Sequence, residues 1–234
     1  MLQRRNRATK GRISELTEAV DLIASYLLRL RVDLSAKPSP TRRGGQDLPL
    51  QRDELMGIEG ICARTYFQGL RHCFPVQWNF TGRNRRPPID PINALLSWAY
   101  GVLLARVFAA CVQAGLDPYL GFFHAIEPYR PNLVLDLMEE FRPVVVDSAV
   151  ISIIGSDLLE VGDFEPSPDG VGIWLGPMAK KLFLGELERR FASSLLYPPQ
   201  NRQLSLNQIL LEQARWLARC LVGSVLDYEA FVMR

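Results

Sequence analysis

The sequence contains no C-x-x-C pair. Its four cysteines, Cys62, Cys73, Cys111 and Cys220, stand far apart. That spacing excludes a zinc finger or ribbon, and in a chain of 234 residues it argues against a disulfide framework. Reduced thiols in a cytoplasm are expected. Histidine is scarcer still, with only His72 and His124. No run of eighteen uncharged apolar residues occurs, and the nearest, from Ala94 to Val112, is broken by Arg106. The basic N-terminus has no apolar stretch behind it, so neither a membrane span nor a secretory signal is expected. The net charge is only +2, so any case for nucleic acid rests on local patches and not on the global field. No internal repeat is visible.

Apolar residues make up 48% of the chain and charged residues 22%, the balance of an ordinary globular protein. Helical periodicity dominates. Ile13, Leu16, Val20, Ile23, Leu27 and Leu30 recur at spacings of three and four. The segment 35–47, SAKPSPTRRGGQD, reads as a flexible loop. Helices are predicted over about 50–73, 92–114, 133–141, 144–154, 177–195 and 204–222. Pro75 ends the first of these, Gly115 caps the second, and Asn132 N-caps the third. Residues 171–175 form a short strand or a buried loop. The predicted class is all-α, about seven helices with little or no strand. Residues 1–47 are predicted to form a basic N-terminal helix and a flexible Pro/Gly loop, and 48–234 a helical domain.

Three places hold acids or a histidine where apolar residues surround them. Asp136 and Glu139, in LVLDLMEEFRP, are three residues apart, which puts both carboxylates on one helical face. Glu140 is four residues from Asp136 and within reach of the same face. Such a pair is tolerated as a solvated edge or with a cation between the carboxylates, and spacing alone leaves both readings open. Glu59 lies among Met56, Ile58, Ile61 and Cys62, where an acid is costly unless paired with an arginine such as Arg64 or with a metal. His124, in LGFFHAIEP, is either a packed core histidine or a ligand. Glutamate, histidine and carboxylate oxygens together suit magnesium or manganese.

These segments, in order, resemble the CRISPR-associated integrase/endonuclease family that inserts spacers during adaptation. IEGICARTYF looks like the family's glutamate motif. RNRRPPIDPINALLSWAYGVLLARV looks like its Arg-rich turn and following helix, through Asn93, Ser97 and Tyr100. GLDPYLGFFHAIEPYRPNLVLDLMEEFRPVVVD looks like its histidine and Asp-Leu-Met-Glu motifs. GVGIWL, EQARWLARCLVG, Tyr228 and Phe231 match its C-terminal pattern. The resemblance implies that Glu59, His124 and Glu139 are metal ligands and that Asp136 is the adjacent essential acid. It implies attack on a DNA phosphodiester, by a 3′-hydroxyl in strand joining or by water in cutting branched DNA. It also implies a role in antiviral defence and a small dimeric partner protein of the adaptation complex.

Family members usually begin with a β-rich domain that forms much of their homodimer interface. The sequence is read as the helical part without that domain, dimeric once it is supplied. A non-catalytic module that binds DNA or the partner is the alternative reading. Arg83, Arg85 and Arg86 form a Pro-flanked basic turn suited to phosphate. The first cluster, Arg4, Arg5, Arg7, Lys10 and Arg12, reads as a solvated tail, and Lys180 and Lys181 as a helix surface. Arg130 and Arg142 flank the acids and either meet the phosphate or pair with Glu127 or Glu139. His72 is structural or solvated.

Overall fold

The structure, a computed structural model, describes residues 20–23, 52–122 and 129–233. The N-terminal helix and Pro/Gly loop read from the sequence lie outside the described residues, apart from one helical turn at 20–23. Two compact units divide between Arg83 and Asn84.

In the first unit, helix α1 spans Arg52–Leu70 and tightens into a 3-10 turn, Arg71–Cys73. Phe74 is extended, as a residue before proline must be. Beyond it, Val76–Trp78 forms another short turn, closed by Asn79 in the left-handed region. Leu70, Cys73, Phe74, Trp78 and Phe80 are buried, with the Phe74 and Phe80 rings edge to face at 5.4 Å.

The second unit is built around helix α2, Pro91–Gln113. Asp90 caps it by accepting the Asn93 N–H at 2.8 Å, and Pro91 at the first position has no N–H to leave unsatisfied. It ends as its sequence predicts. Gly115 takes φ +77°, its N–H reaches the Val112 carbonyl at 3.1 Å, and the Leu116 N–H reaches Cys111 at 2.9 Å. This pair of bonds satisfies the last carbonyls of the helix. By length and composition α2 could cross a membrane. Here it is the core helix of its unit, with Ile92, Leu95, Leu96, Ala99, Leu103 and Val107 buried and other helices of that unit packed against it.

Helix α3 is short, Asn132–Met138. A π-wound segment, Arg142–Asp147, follows, and α4 continues over Ser148–Gly155. The sequence predicts one α-helix from Val144. Instead the winding widens for six residues where Pro143 interrupts the ordinary ladder. Strands β1, Phe164–Pro166, and β2, Ile173–Leu175, pair antiparallel with Phe164 opposite Leu175. Helix α5 spans Pro177–Ala192. It stops three residues before the predicted end, because the chain turns extended at Ser193 and forms a hairpin. Its strands are β3, Ser194–Tyr197, and β4, Arg202–Ser205. Helix α6, Leu206–Leu221, opens with a capping box between Ser205 and Gln208 and closes at Gly223, φ +73°. The mostly helical class is borne out, with two two-stranded sheets added among the described residues.

Candidate active site

Helix α3 carries both members of the acid pair. The Leu133 N–H bonds to the Pro118 carbonyl at 3.1 Å, so the strand of chain leaving α2 lies across the start of α3. Asn132 is the first helical residue and not the cap expected from the sequence. Its side chain accepts no capping bond, is 0% exposed, and its amide nitrogen and oxygen both lack a hydrogen-bond partner. Gly121 explains the crowding. A Cβ there would stand 2.6 Å from Asn132 Cβ and 2.9 Å from Asp136 Oδ2. Because glycine lets the backbone come this close, the Phe122 N–H donates to Asp136 Oδ2 at 2.7 Å. Asp136 therefore fixes the approach to the segment that bears His124. His124 itself, with Glu127, lies outside the described residues.

Glu139 follows α3 by one residue and keeps helical dihedrals, φ −57° and ψ −37°. It therefore shares a face with Asp136, as the three-residue spacing requires. Arg142 pairs with it, Nη1 to Oε1 at 2.8 Å. Of the partners the sequence left open for Arg142, the structure has Glu139. The guanidinium lies over the Tyr100 ring, 5.3 Å from its centroid. Tyr100 in turn donates to the buried Asp147 carboxylate at 2.7 Å. Arg130 is half-buried at the other end of α3.

Glu140 does not join that face, contrary to the sequence expectation. It turns instead to the C-terminal segment and accepts from the Tyr228 hydroxyl, from Gln213 Nε2 at 2.9 Å and from the Phe231 N–H at 2.7 Å. Gln213 also accepts from the Tyr197 hydroxyl at 2.7 Å and donates to the Glu229 carbonyl at 3.0 Å. Phe231 stacks on Phe141 at 5.7 Å. Burial raises the Glu140 carboxyl above its ordinary range, and the three donated bonds oppose that rise. Burial, then the Glu140 charge, pushes the Tyr228 hydroxyl strongly upward. Sequence reasoning missed this network. Tyr228 and Phe231 were visible only as parts of a pattern, with no sign that they meet Glu140.

Glu59 stands on α1, in the first unit. Its side chain is exposed, so solvent covers the cost that the apolar surroundings implied and burial gives no argument for a metal there. It is one turn from Cys62, whose thiol is raised first by burial and then by the Glu59 charge. Among the described residues, no three His, Cys, Asp or Glu side chains gather as a metal would need. The donor set nevertheless fits a hard divalent cation in kind. Two carboxylates share a face, and a cation in the form of Arg142 already sits on one of them.

The profile described as "CRISPR associated protein Cas1" matches residues 1–189. The chain belongs to the Cas1 family. It is 41% identical over 186 residues to a Geobacter sulfurreducens protein named CRISPR-associated exonuclease Cas4/endonuclease Cas1 fusion. That match covers 77% of this chain and 33% of the relative. With the Thermus thermophilus CRISPR-associated endonuclease Cas1 3 the identity is 39% over 182 residues, covering 78% and 54%. The chain thus spans between a third and about half of these relatives. A casposase bound to an integration product superposes with a TM-score of 0.74 at 25% identity, covering 90% of this chain and 58% of that one. A Cas6-RT-Cas1–Cas2 complex gives 0.75 at 26%, covering 98% and 24%.

In this Cas1-family chain the basic turn is a built feature. The Asn84 N–H donates to the buried Asn93 Oδ1 at 2.8 Å, and Asn93 Nδ2 donates to Asp90 Oδ2 at 2.6 Å. The Ile173 N–H of β2 holds the Pro88 carbonyl at 2.7 Å. Gly172 lies so close to Pro87 that a Cβ would come within 2.7 Å of the proline ring. Arg85 and Arg86 project from this fixed turn and are exposed. Arg83 belongs to the first unit.

Proposed function

We propose that this chain is the helical catalytic domain of a divalent-metal-dependent DNA endonuclease/integrase of CRISPR spacer acquisition, acting in the cytoplasm. The observation that carries the proposal is the Asp136–Glu139 face, held at a helix end, in a chain that belongs to the Cas1 family. Glu59, His124 and Glu139 would hold magnesium or manganese. When bound, the ion would neutralise charge on the phosphate and lower the proton affinity of the attacking oxygen.

The chain's own residues do the rest. Asp136 holds the Phe122 backbone and so sets where the His124 segment starts. Arg85 and Arg86 offer cations to phosphates from a turn that does not have to be ordered on binding. Arg83, Arg130 and Arg142 are further phosphate contacts in this reading. The partners are double-stranded or branched DNA and the small dimeric protein of the adaptation complex. Homodimerisation would follow once a β domain is present. The names of the superposed structures, one holding an integration product and one a Cas1–Cas2 complex, support these partners.

The test is cleavage and strand joining on branched DNA with manganese, with and without the small partner. Glu139→Ala and His124→Ala should abolish turnover while circular dichroism keeps its helical signal. Activity equal to the parent in both variants would overturn the site. Salt-sensitive DNA binding with no manganese-dependent product would instead establish the non-catalytic module.

A further inference from the structure

Glu139 already has a cation beside it. Arg142 Nη1 is 2.8 Å from Glu139 Oε1, and the Arg142 side chain is only 21% exposed. The guanidinium is restrained on two of its sides. Its Nε is buried and makes no hydrogen bond, and its Cζ lies over the ring of Tyr100 at 5.3 Å from the centroid, a ring that the Asp147 carboxylate holds in place. With Nε enclosed, the donors left for an outside partner lie on the Nη side, where Glu139 now is. A divalent ion on Glu139 would sit about 2–2.6 Å from a carboxylate oxygen. That puts it within a few ångströms of the guanidinium charge as long as Arg142 pairs with Glu139, and the two repel.

We infer that Arg142 competes with the divalent cation for Glu139 and is drawn off by a DNA phosphate, so that DNA binding prepares the metal site. The inference rests on the proposed ligand role of Glu139. The residue types suit the exchange. Guanidinium binds carboxylate and phosphate in the same forked geometry, so Arg142 can trade one for the other by sliding along the Tyr100 ring. The pairing with Glu139 is three residues apart and partly solvated, a class of ion pair weak enough to yield. Coupling of this kind is reciprocal: DNA tightens the metal to the same degree that the metal tightens DNA.

The experiment measures Mn²⁺ binding by titration calorimetry, with and without a branched DNA duplex, on the full chain. Calcium replaces manganese in a parallel series to prevent turnover. Arg142→Gln should bind Mn²⁺ about threefold more tightly than the parent without DNA, the gain expected when a weak competing ion pair is removed. Its DNA-induced gain in Mn²⁺ affinity should be smaller than the parent's by the same factor. Arg142→Lys keeps the charge and should stay within about twofold of the parent, which separates loss of charge from loss of packing. Arg142→Gln binding Mn²⁺ no more tightly than the parent would overturn the inference, and so would Arg142→Lys behaving like Arg142→Gln. Glu139→Gln is the control for the reading beneath it. If that variant binds Mn²⁺ as the parent does, the ligand role of Glu139 falls and the competition falls with it. If it binds weakly while Arg142→Gln is unchanged, only the competition falls.

Discussion

Gly121 shows how one missing methyl group organises the site. The backbone of the approach segment rests against Asn132 and Asp136 at distances that no Cβ tolerates. Gly121→Ala must push the segment off α3 and break the Phe122–Asp136 bond. The expected cost is about 1–3 kcal/mol, typical of overpacking. It would be read as a fall in Tm of about 2–4 °C for each kcal/mol in a domain of this size. An unchanged Tm would mean the segment is not packed as described. Cys111 makes a second residue-scale case. It is 0% exposed, and burial pushes its thiol up to about 11. At pH 8 it holds almost no thiolate. Mass spectrometry after iodoacetamide treatment of the native protein should find Cys111 unmodified, and modification at the rate of an exposed thiol would contradict that burial. At this scale the sequence was informative about Asp136 and Glu139, because helix geometry turns a spacing of three into a shared face. It was misleading about Glu59 and Glu140. Neighbours in sequence do not say which way a helix faces, and Glu59 proved exposed while Glu140 faces a segment 88 to 91 positions away.

Helix ends were legible only in part, since Asn132 is the first residue of α3 and not its cap. Gly115 marks the C-terminal limit of α2 by capping chemistry alone, and the structure follows that mark. The β3–β4 hairpin was not legible. Residues up to Leu195 read as more helix, yet Pro198 biases the residue before it to extended backbone and Asn201 closes the turn at φ 49°. The hairpin is worth the interruption because it brings Tyr197 to Gln213, and so to Glu140. Tyr228→Phe removes one donor from a buried carboxylate and should lower stability by about 1–3 kcal/mol in urea titration. The acid itself adds a pH signature. Its folded-state value is raised above the ordinary 4.5, so the folded protein holds this proton more tightly than the unfolded chain. The contribution to stability is full below 4.5 and is lost as pH rises through the raised value. Urea midpoints of Glu140→Gln relative to the parent should therefore move in the variant's favour as pH rises from 4.5. A pH-independent difference would mean that the burial of Glu140 is overstated.

On the scale of the molecule, the charge that matters is local. A net charge of +2 gives little long-range attraction, while Arg85 and Arg86 stand on a turn anchored by Asn93 and by β2. Replacing both arginines by alanine should weaken DNA binding evenly across sequences. It should also reduce the slope of log affinity against log salt by about 2, close to one unit per lost phosphate contact. A sequence-dependent loss, or an unchanged slope, would remove the turn from the interface. The class of fold was readable from periodicity. Glu59 and Asp136 are separated by 77 positions (136 − 59), and only the resemblance to a family assigns them to one site.

The C-terminal segment sets an order of events during synthesis. Asp136, Glu139 and Arg142 leave the ribosome together, but the Phe231 N–H that closes over Glu140 is made 91 residues later. At about 5–20 residues per second the gap lasts roughly 5–18 s. Through that interval the nascent chain carries its acids beside an unshielded Glu140 and an unpaired Phe141 ring. The acid helix should therefore settle late, when translation is nearly complete, and a stalled chain that ends before Tyr228 should display it to proteases.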